Sequence, residues 1–224
     1  MRPLDLDYML GLVPVLLKYV PLTLAMASVA MFFALLLASL MAIVRVMRVP
    51  LLDGFTQIFI SFFRGTPLLV QLFLFYYGLP QVLSFLTAIN GVTAAVMGLT
   101  LHFAAYMAES IRAAILGVDR SQWEASRSVG MTTAQMMRRI ILPQAARIAA
   151  PTLVNYFVDI IKSTSLAFTL GVTELMGAAQ KEAAGSFLYF EAFILVAIIY
   201  WVIVEALTVV QRQLEARLGK AVAR

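Results

Sequence analysis

No cysteine occurs among the 224 residues, and there is a single histidine, His102. The first absence excludes a disulfide framework, a thiol nucleophile and a cysteine-ligated zinc or iron–sulfur site. The second excludes a histidine-rich metal centre. Charge is also scarce, at 13% of residues against 62% hydrophobic. A soluble domain is nearer half apolar and a quarter charged, so this composition excludes a water-soluble globule. The lack of polar low-complexity tracts excludes a disordered chain. No phosphate-cradling Gly-x-x-x-x-Gly-Lys loop, nucleophile elbow or metal-ligand spacing is present, so the chain is expected to bind no cofactor and to be no enzyme. The net charge of +5 is modest, and no nucleic-acid partner is expected. What remains is an all-α integral membrane protein embedded in the lipid bilayer.

Uncharged runs predict where the chain crosses. Residues 19–44 carry no charge, 26 in all, where a spanning helix needs about 20. A second span is expected over 56–79, interrupted only by Arg64. No charge occurs from Gly65 to Ala108, which is too long for one helix. Gly78-Leu79-Pro80 is the expected break, and Asn90-Gly91 is a second turn signal. Further spans follow over 92–111, 148–172 and 187–210. The reading is therefore one transmembrane domain over 1–224 with five transmembrane helices and a polar loop at 112–147.

The basic residues set the orientation. With the N-terminus outside, twelve of the seventeen Lys and Arg lie on the inner side, six of them in the loop before the fourth span. Three lie outside and two, Arg64 and Lys162, lie within spans. The N-terminus is expected outside and the C-terminus inside. Asp5 and Asp7 argue against a cleaved signal peptide, whose start should be basic. Span one carries a small-residue stripe, Ala25, Ala27, Ser28, Ala30, Ala34 and Ala38, suited to close helix packing. The tail from residue 211 reads as a basic amphipathic stretch on the inner surface.

The inner loop reads Gln122-Trp123-Glu124-Ala125-Ser126-Arg127-Ser128-Val129-Gly130, continuing to Arg138-Arg139-Ile140-Ile141-Leu142-Pro143-Gln144. Apolar and charged residues mix at helical spacing, Gly130 breaks the run and Pro143 punctuates its end. Two short amphipathic helices joined at a glycine are expected, presenting an apolar knob to a soluble partner.

These residues resemble the "EAA" signature of ATP-binding-cassette importer permeases, with Glu124, Ala125, Gly130, Ile140, Leu142 and Pro143 matching in position. Ser126 stands where that family usually has alanine. Phe63-Arg64-Gly65-Thr66-Pro67-Leu68-Leu69-Val70-Gln71 and Lys162-Ser163-Thr164-Ser165-Leu166 resemble motifs of its polar amino-acid branch. There Ser163 replaces the usual aspartate. Within that branch the chain is most similar to cystine permeases. The resemblance implies the type I importer core. It implies a dimer with the same or a related subunit, a cytoplasmic ATPase pair that binds ATP and Mg, and a periplasmic or extracellular amino-acid-binding protein. It implies a bacterial inner membrane, and docking of the 112–147 loop on the ATPase.

Ionisable groups inside a membrane are costly and usually face a wet path or a partner. Arg64 or Lys162 could attract a substrate carboxylate. Alternatively, Arg64 fastens a helix start at the inner interface and Lys162 pairs with Asp159, three residues away. Glu109 could recognise an ammonium group or pair with Arg112. Thr66, Thr164 and Ser165 are the neighbouring polar candidates for the path. His102 reads as a helix-packing hydrogen-bonder. Two competitors remain. An ion-gradient-driven secondary amino-acid transporter would show paired repeats and buried carboxylates, and no repeat is visible. A membrane scaffold would share the docking loop but has no need of charges within spans.

Overall fold

The computed structural model describes residues 4–222, with the backbone alone for Leu86, Val210 and 213–222. All regular structure among them is helical. Helix α1, Leu6–Leu17, starts at Asp5, whose carboxylate accepts the Tyr8 N–H at 2.9 Å. Helix α2, Val20–Met47, carries Pro21 in its first turn, where the missing N–H has no intrahelical partner to lose. Helices α3 (Leu52–Gly65), α4 (Leu68–Phe73) and α5 (Leu79–Val82) follow. Helix α6 is Gly91–Leu116, capped by Asn90 on the Thr93 N–H. The inner loop holds α7 (Arg120–Ser128) and α8 (Thr133–Met136), and α9 is Leu142–Ser163. A tight 3-10 stretch, Thr164–Leu170, leads to α10 (Leu175–Ser186) and α11 (Tyr189–Val222).

The core is built around α2 and α6. Ala27, Ala30, Ala34 and Ala38 are wholly buried and pack with Leu99, Phe103, Ala104, Ala105, Met107 and Ala108 of α6. Without large side chains the two backbones approach closely, which drives association where lipid is as apolar as the helices. Ala25 and Ser28 are exposed, so two of the six residues of the expected stripe face away. A second cluster, from Leu12 and Leu16 of α1 with Leu175, Ala179, Ala192 and Leu195, fastens α1 and α10 to α11.

Among the described residues three helices are long and apolar enough to cross a membrane: α2, α6 and the Tyr189–Val209 part of α11. The expected span at 56–79 is not one helix. Its two parts, Leu52–Gly65 and Leu68–Val82, meet at 111°, and together they make at most a fourth span. Proline is the cause: Pro67 excludes its predecessor from the helical region, and Thr66 is extended at φ −120°, ψ 146°. The expected span at 148–172 is displaced. Helix α9 begins earlier, at Leu142, and ends at Ser163, and its polar residues keep it below the apolar threshold. The expected span at 92–111 is longer at both ends, so the inner loop shortens from 112–147 to 117–141. The tail expected to lie separately from residue 211 continues α11 without a break to Val222, and its side chains from 213 lie outside the described ones.

Two wide, π-type turns share one local sequence. In each, Leu74–Gly78 and Met137–Ile141, the next leucine donates its N–H five residues back, Leu79 to the Leu74 oxygen and Leu142 to the Met137 oxygen. Each is followed by Leu-Pro-Gln, at 79–81 and 142–144. A proline ring would strike the carbonyl four residues earlier in a regular helix, and an added residue relieves that clash. The glutamine then donates to a freed carbonyl, Gln81 Nε2 to Tyr77 O and Gln144 Nε2 to Ile140 O, both at 3.0 Å. Hence neither Pro80 nor Pro143 ends a helix as expected. The expected break at 78–80 falls instead at Leu83, which is extended at φ −118°, ψ 92°.

Candidate functional site: the inner loop and the polar groups of the bundle

The inner loop is built from three local devices. Asp119 caps α7, accepting the Ser121 N–H at 2.8 Å, which holds its carboxyl below the ordinary range. At the other end Gly130 sits at φ +75°. Its N–H donates to Arg127 O at 2.9 Å while Met131 N–H reaches Ser126 O at 3.1 Å. This is a Schellman ending, which needs a left-handed residue at that position and hence glycine. Thr132 and Gln135 then form a reciprocal capping box that starts α8. The Thr-x-x-Gln spacing could have revealed this start in advance.

The expected apolar knob is only partly presented. Glu124, Ala125 and Val129 are exposed, whereas Met136 and Met137 are buried and Trp123 packs inward with Ile115, Val118 and Ile141. Ser126 is buried, and its hydroxyl donates to Gln122 O at 2.6 Å, so a small residue fits there with its polar atom satisfied. Ile140 and Leu142 are half-buried and Pro143 is exposed. The second helix of the loop is not a separate short one. From Thr133 the chain runs through the wide turn straight into α9, so α7 is joined to α9 through the short turn at Gly130. A further tie is Gln144 Nε2 to Gln122 Oε1 at 3.4 Å.

Within the bundle, Arg64 and Lys162 have different partners. Arg64 ends α3 rather than starting a helix, is exposed, and stands 5.5 Å over the Tyr106 ring. Thr66 donates to Phe62 O and accepts from Gln71 Nε2, both at 2.8 Å. The buried Gln71 amide nitrogen also meets Phe63 O and Thr66 O, so it clamps the bend. Its oxygen is therefore the acceptor, and the His102 Nδ1, 3.0 Å away, carries a proton. His102 is the helix-packing hydrogen-bonder expected.

Lys162 pairs with Asp159 at 2.7 Å, as the spacing predicts, yet both side chains are about half exposed. With Ser165 and Tyr200, Lys162 lines a cavity of about 350 Å³. Ser165 donates to Lys162 O, and the buried Thr164 donates to Ile161 O. Glu109 pairs with Arg112 at 2.8 Å as expected, and also with Arg45 at 2.9 Å.

The group that sequence reasoning missed is Glu174. It is fully buried, caps α10 at the Gly177 N–H, and accepts from Thr23 of α2 and Tyr200 of α11 at 3.1 and 2.9 Å. One carboxylate thus ties three helices. Its sequence context, Gly171-Val172-Thr173-Glu174-Leu175, was passed over because it lies between expected spans.

Residues 13–220 match the family described as the inner-membrane component of binding-protein-dependent transport systems. The chain is 63% identical to the probable amino-acid ABC transporter permease protein PatM of Vibrio harveyi over 98% of its length and 99% of the relative's. It is 45% identical to the probable amino-acid permease protein YxeN of Bacillus subtilis, covering 98% of each. Its fold superimposes on a chain from the crystal structure of an amino acid ABC transporter with histidines, at a TM-score of 0.89 and 33% identity over 96% of this chain and 100% of that one. The chain therefore belongs to the family of binding-protein-dependent transport-system inner-membrane components, as an amino-acid ABC importer permease and not itself an enzyme.

Proposed function

We propose that this chain is one of two permease subunits, the same or closely related, that together enclose the path of a polar amino acid through a bacterial inner membrane. A cytoplasmic ATPase pair supplies ATP hydrolysis, and an external binding protein delivers substrate. The observation that carries the coupling is the mounting of α7. Its exposed face, Glu124, Ala125 and Val129, is joined to α9 through a glycine in a conformation other residues resist. Movement of an ATPase groove around α7 would therefore reach α9 through the Gly130 hinge and one continuous helix, and α6 through the packing of Trp123. Nucleotide and substrate bias the same two-state element.

In this reading the five crossings are α2, the bent α3–α5 pair, α6, α9 and α11, with the N-terminus outside. Helix α9 has 22 residues, about 33 Å at 1.5 Å per residue. Its polar positions are acceptable in a membrane if they face a wet path rather than lipid. The half-exposed Lys162–Asp159 pair and its cavity support that placement, with Ser165 and Thr164 beside it. Arg64, Thr66 and Glu109 remain further candidates for contact with the travelling amino acid. Cystine is the first substrate to test. It rests on relatives such as the L-cystine transport system permease protein TcyL of Bacillus subtilis, 36% identical over 90% of this chain and 86% of that one.

The test is recovery from its native membrane in mild detergent. A stoichiometric soluble ATPase should accompany the chain and be lost with Glu124→Lys. An ATPase-free oligomer that moves amino acid into vesicles without ATP would favour the ion-driven carrier instead. If Arg64 meets a carboxylate, Arg64→Gln should raise the half-saturation for uptake several-fold while the protein stays folded.

A further inference from the structure

We propose that the cavity between α3 and the inner ends of α2 and α6 binds the phosphate of an anionic phospholipid whose acyl chains lie along α3. This rests on the orientation proposed above. The cavity has a volume of about 340 Å³ and is lined by Arg45, Arg48 and Arg112 with Asp53 and Gln57. Its acids are already committed. Glu109 holds Arg45 at 2.9 Å and accepts from Arg112 Nε and Nη2 at 3.1 and 2.8 Å. Asp53 Oδ2 accepts from Gln57 Nε2, and its Oδ1 is shut in, buried 3.1 Å from Arg45 Nε. Three guanidinium groups thus face two carboxylates. Among the described residues Arg48 has no acidic partner, and Arg112 Nη1 makes no hydrogen bond. The uncompensated charge and free donors suit an oxyanion.

The second observation concerns what that anion is attached to. Arg48 ends α2 in a left-handed conformation at φ 50°, and the next turn sends α3 off along the bundle. Asp53 and Gln57 of α3 face the cavity, while Leu51, Phe55 and Ile58 are 92%, 70% and 72% exposed. Those three positions are spaced i, i+4, i+7, an apolar stripe beside a basic cavity. A free phosphate uses the arginines alone. A phospholipid uses both, its headgroup charge drawn to the basic residues at the inner surface. Val46 and Leu116 line this cavity and also the adjoining one beneath Trp123 and Glu124, so the lipid would brace the root of the inner loop.

The experiment uses the intact complex with its ATPase in neutral detergent, titrated with phosphatidylglycerol, phosphatidylcholine or inorganic phosphate. Bound lipid is read by native mass spectrometry and stability by thermal melting. Phosphatidylglycerol should bind and protect in preference to phosphatidylcholine. Arg48→Gln should weaken it roughly fivefold, the loss of one surface cation's attraction. Arg48→Lys should keep most of the preference. Phe55→Gln, outside the cavity, should weaken the lipid without changing the response to inorganic phosphate. Equal binding of the two lipids, or an Arg48→Gln complex that keeps the full preference, overturns the site. Full protection by inorganic phosphate alone overturns the lipid and leaves a free phosphate ligand. In either case a complex that still carries its ATPase leaves the importer reading standing, whereas its absence counts against that reading alone.

Discussion

Gly130 shows how much can rest on one backbone angle. At φ +75° a side chain costs about 1–2 kcal/mol. No neighbour lies within 4 Å of an added Cβ, so the strain is conformational and not steric. Gly130→Val should leave insertion and overall melting close to normal yet abolish ATP-driven uptake, because the penalty falls on the Schellman ending that holds α7. Gly54→Ala is the control: its φ is not positive and the space around it is open, so uptake should be unchanged. A buried residue of different kind is Gln71. Gln71→Leu leaves the Phe63 and Thr66 carbonyls and the His102 donor without a partner. It should cost about 1–3 kcal/mol, seen as a lower melting midpoint and faster proteolysis at the 66–67 bend. Gly130 was legible in the sequence because a helical run stops there. Gln71 was not, because its partners are backbone oxygens and a histidine 31 residues away, which no local pattern links.

Between elements, glycines mark where helices touch without side chains. An added Cβ at Gly98 would meet Leu72 Cδ2 at 2.5 Å, the movable end of a side chain, whereas at Gly177 it would collide with the Val172 carbonyl oxygen. Gly177→Ala should therefore destabilise clearly more than Gly98→Ala in thermal melts of the purified protein. Equal losses would show that the α10 start can retreat. The cap of α7 makes a statement about pH. The Asp119 carboxyl is held low by the Ser121 N–H, so its stabilisation is complete above the ordinary carboxylate range and is lost only as pH falls through its lowered value. Amide exchange of α7 should show no Asp119-dependent change between pH 5 and 8, and Asp119→Asn should differ from wild type only in its response to acid. The long apolar elements were foreshadowed by uncharged runs, whereas the Thr66-Pro67 bend falls inside the stretch expected as one span over 56–79. Helices α1 and α10 were missed because each has only 12 residues, too few to cross a membrane, so a search for spans passes over their start signals, Asp5 and Glu174. Position 163 illustrates a further limit: the serine is readable, but that α9 stops there follows from the 3-10 stretch docked against α6 and α10.

For the whole molecule, the absence of cysteine makes topology directly measurable, since any introduced thiol is unique. A single cysteine at Gln135 should react with a membrane-impermeant maleimide only after the cells are opened, and one at Phe187 in intact spheroplasts. The opposite pattern would invert the proposed orientation. Beyond topology, the two Leu-Pro-Gln turns give the molecule a pair of matched joints, one between α4 and α5 and one at the root of α9. Each stores one residue more than a regular helix needs. Shifting that surplus residue past one neighbour turns that neighbour by about 100° and moves it by about 1.5 Å along the axis, while the segments on either side keep their places and the number of backbone hydrogen bonds stays the same. Replacing Pro143 with alanine removes the reason for the surplus at one joint. The side chains at that joint would then keep one orientation, and the purified complex should hydrolyse ATP while uptake of cargo is lost.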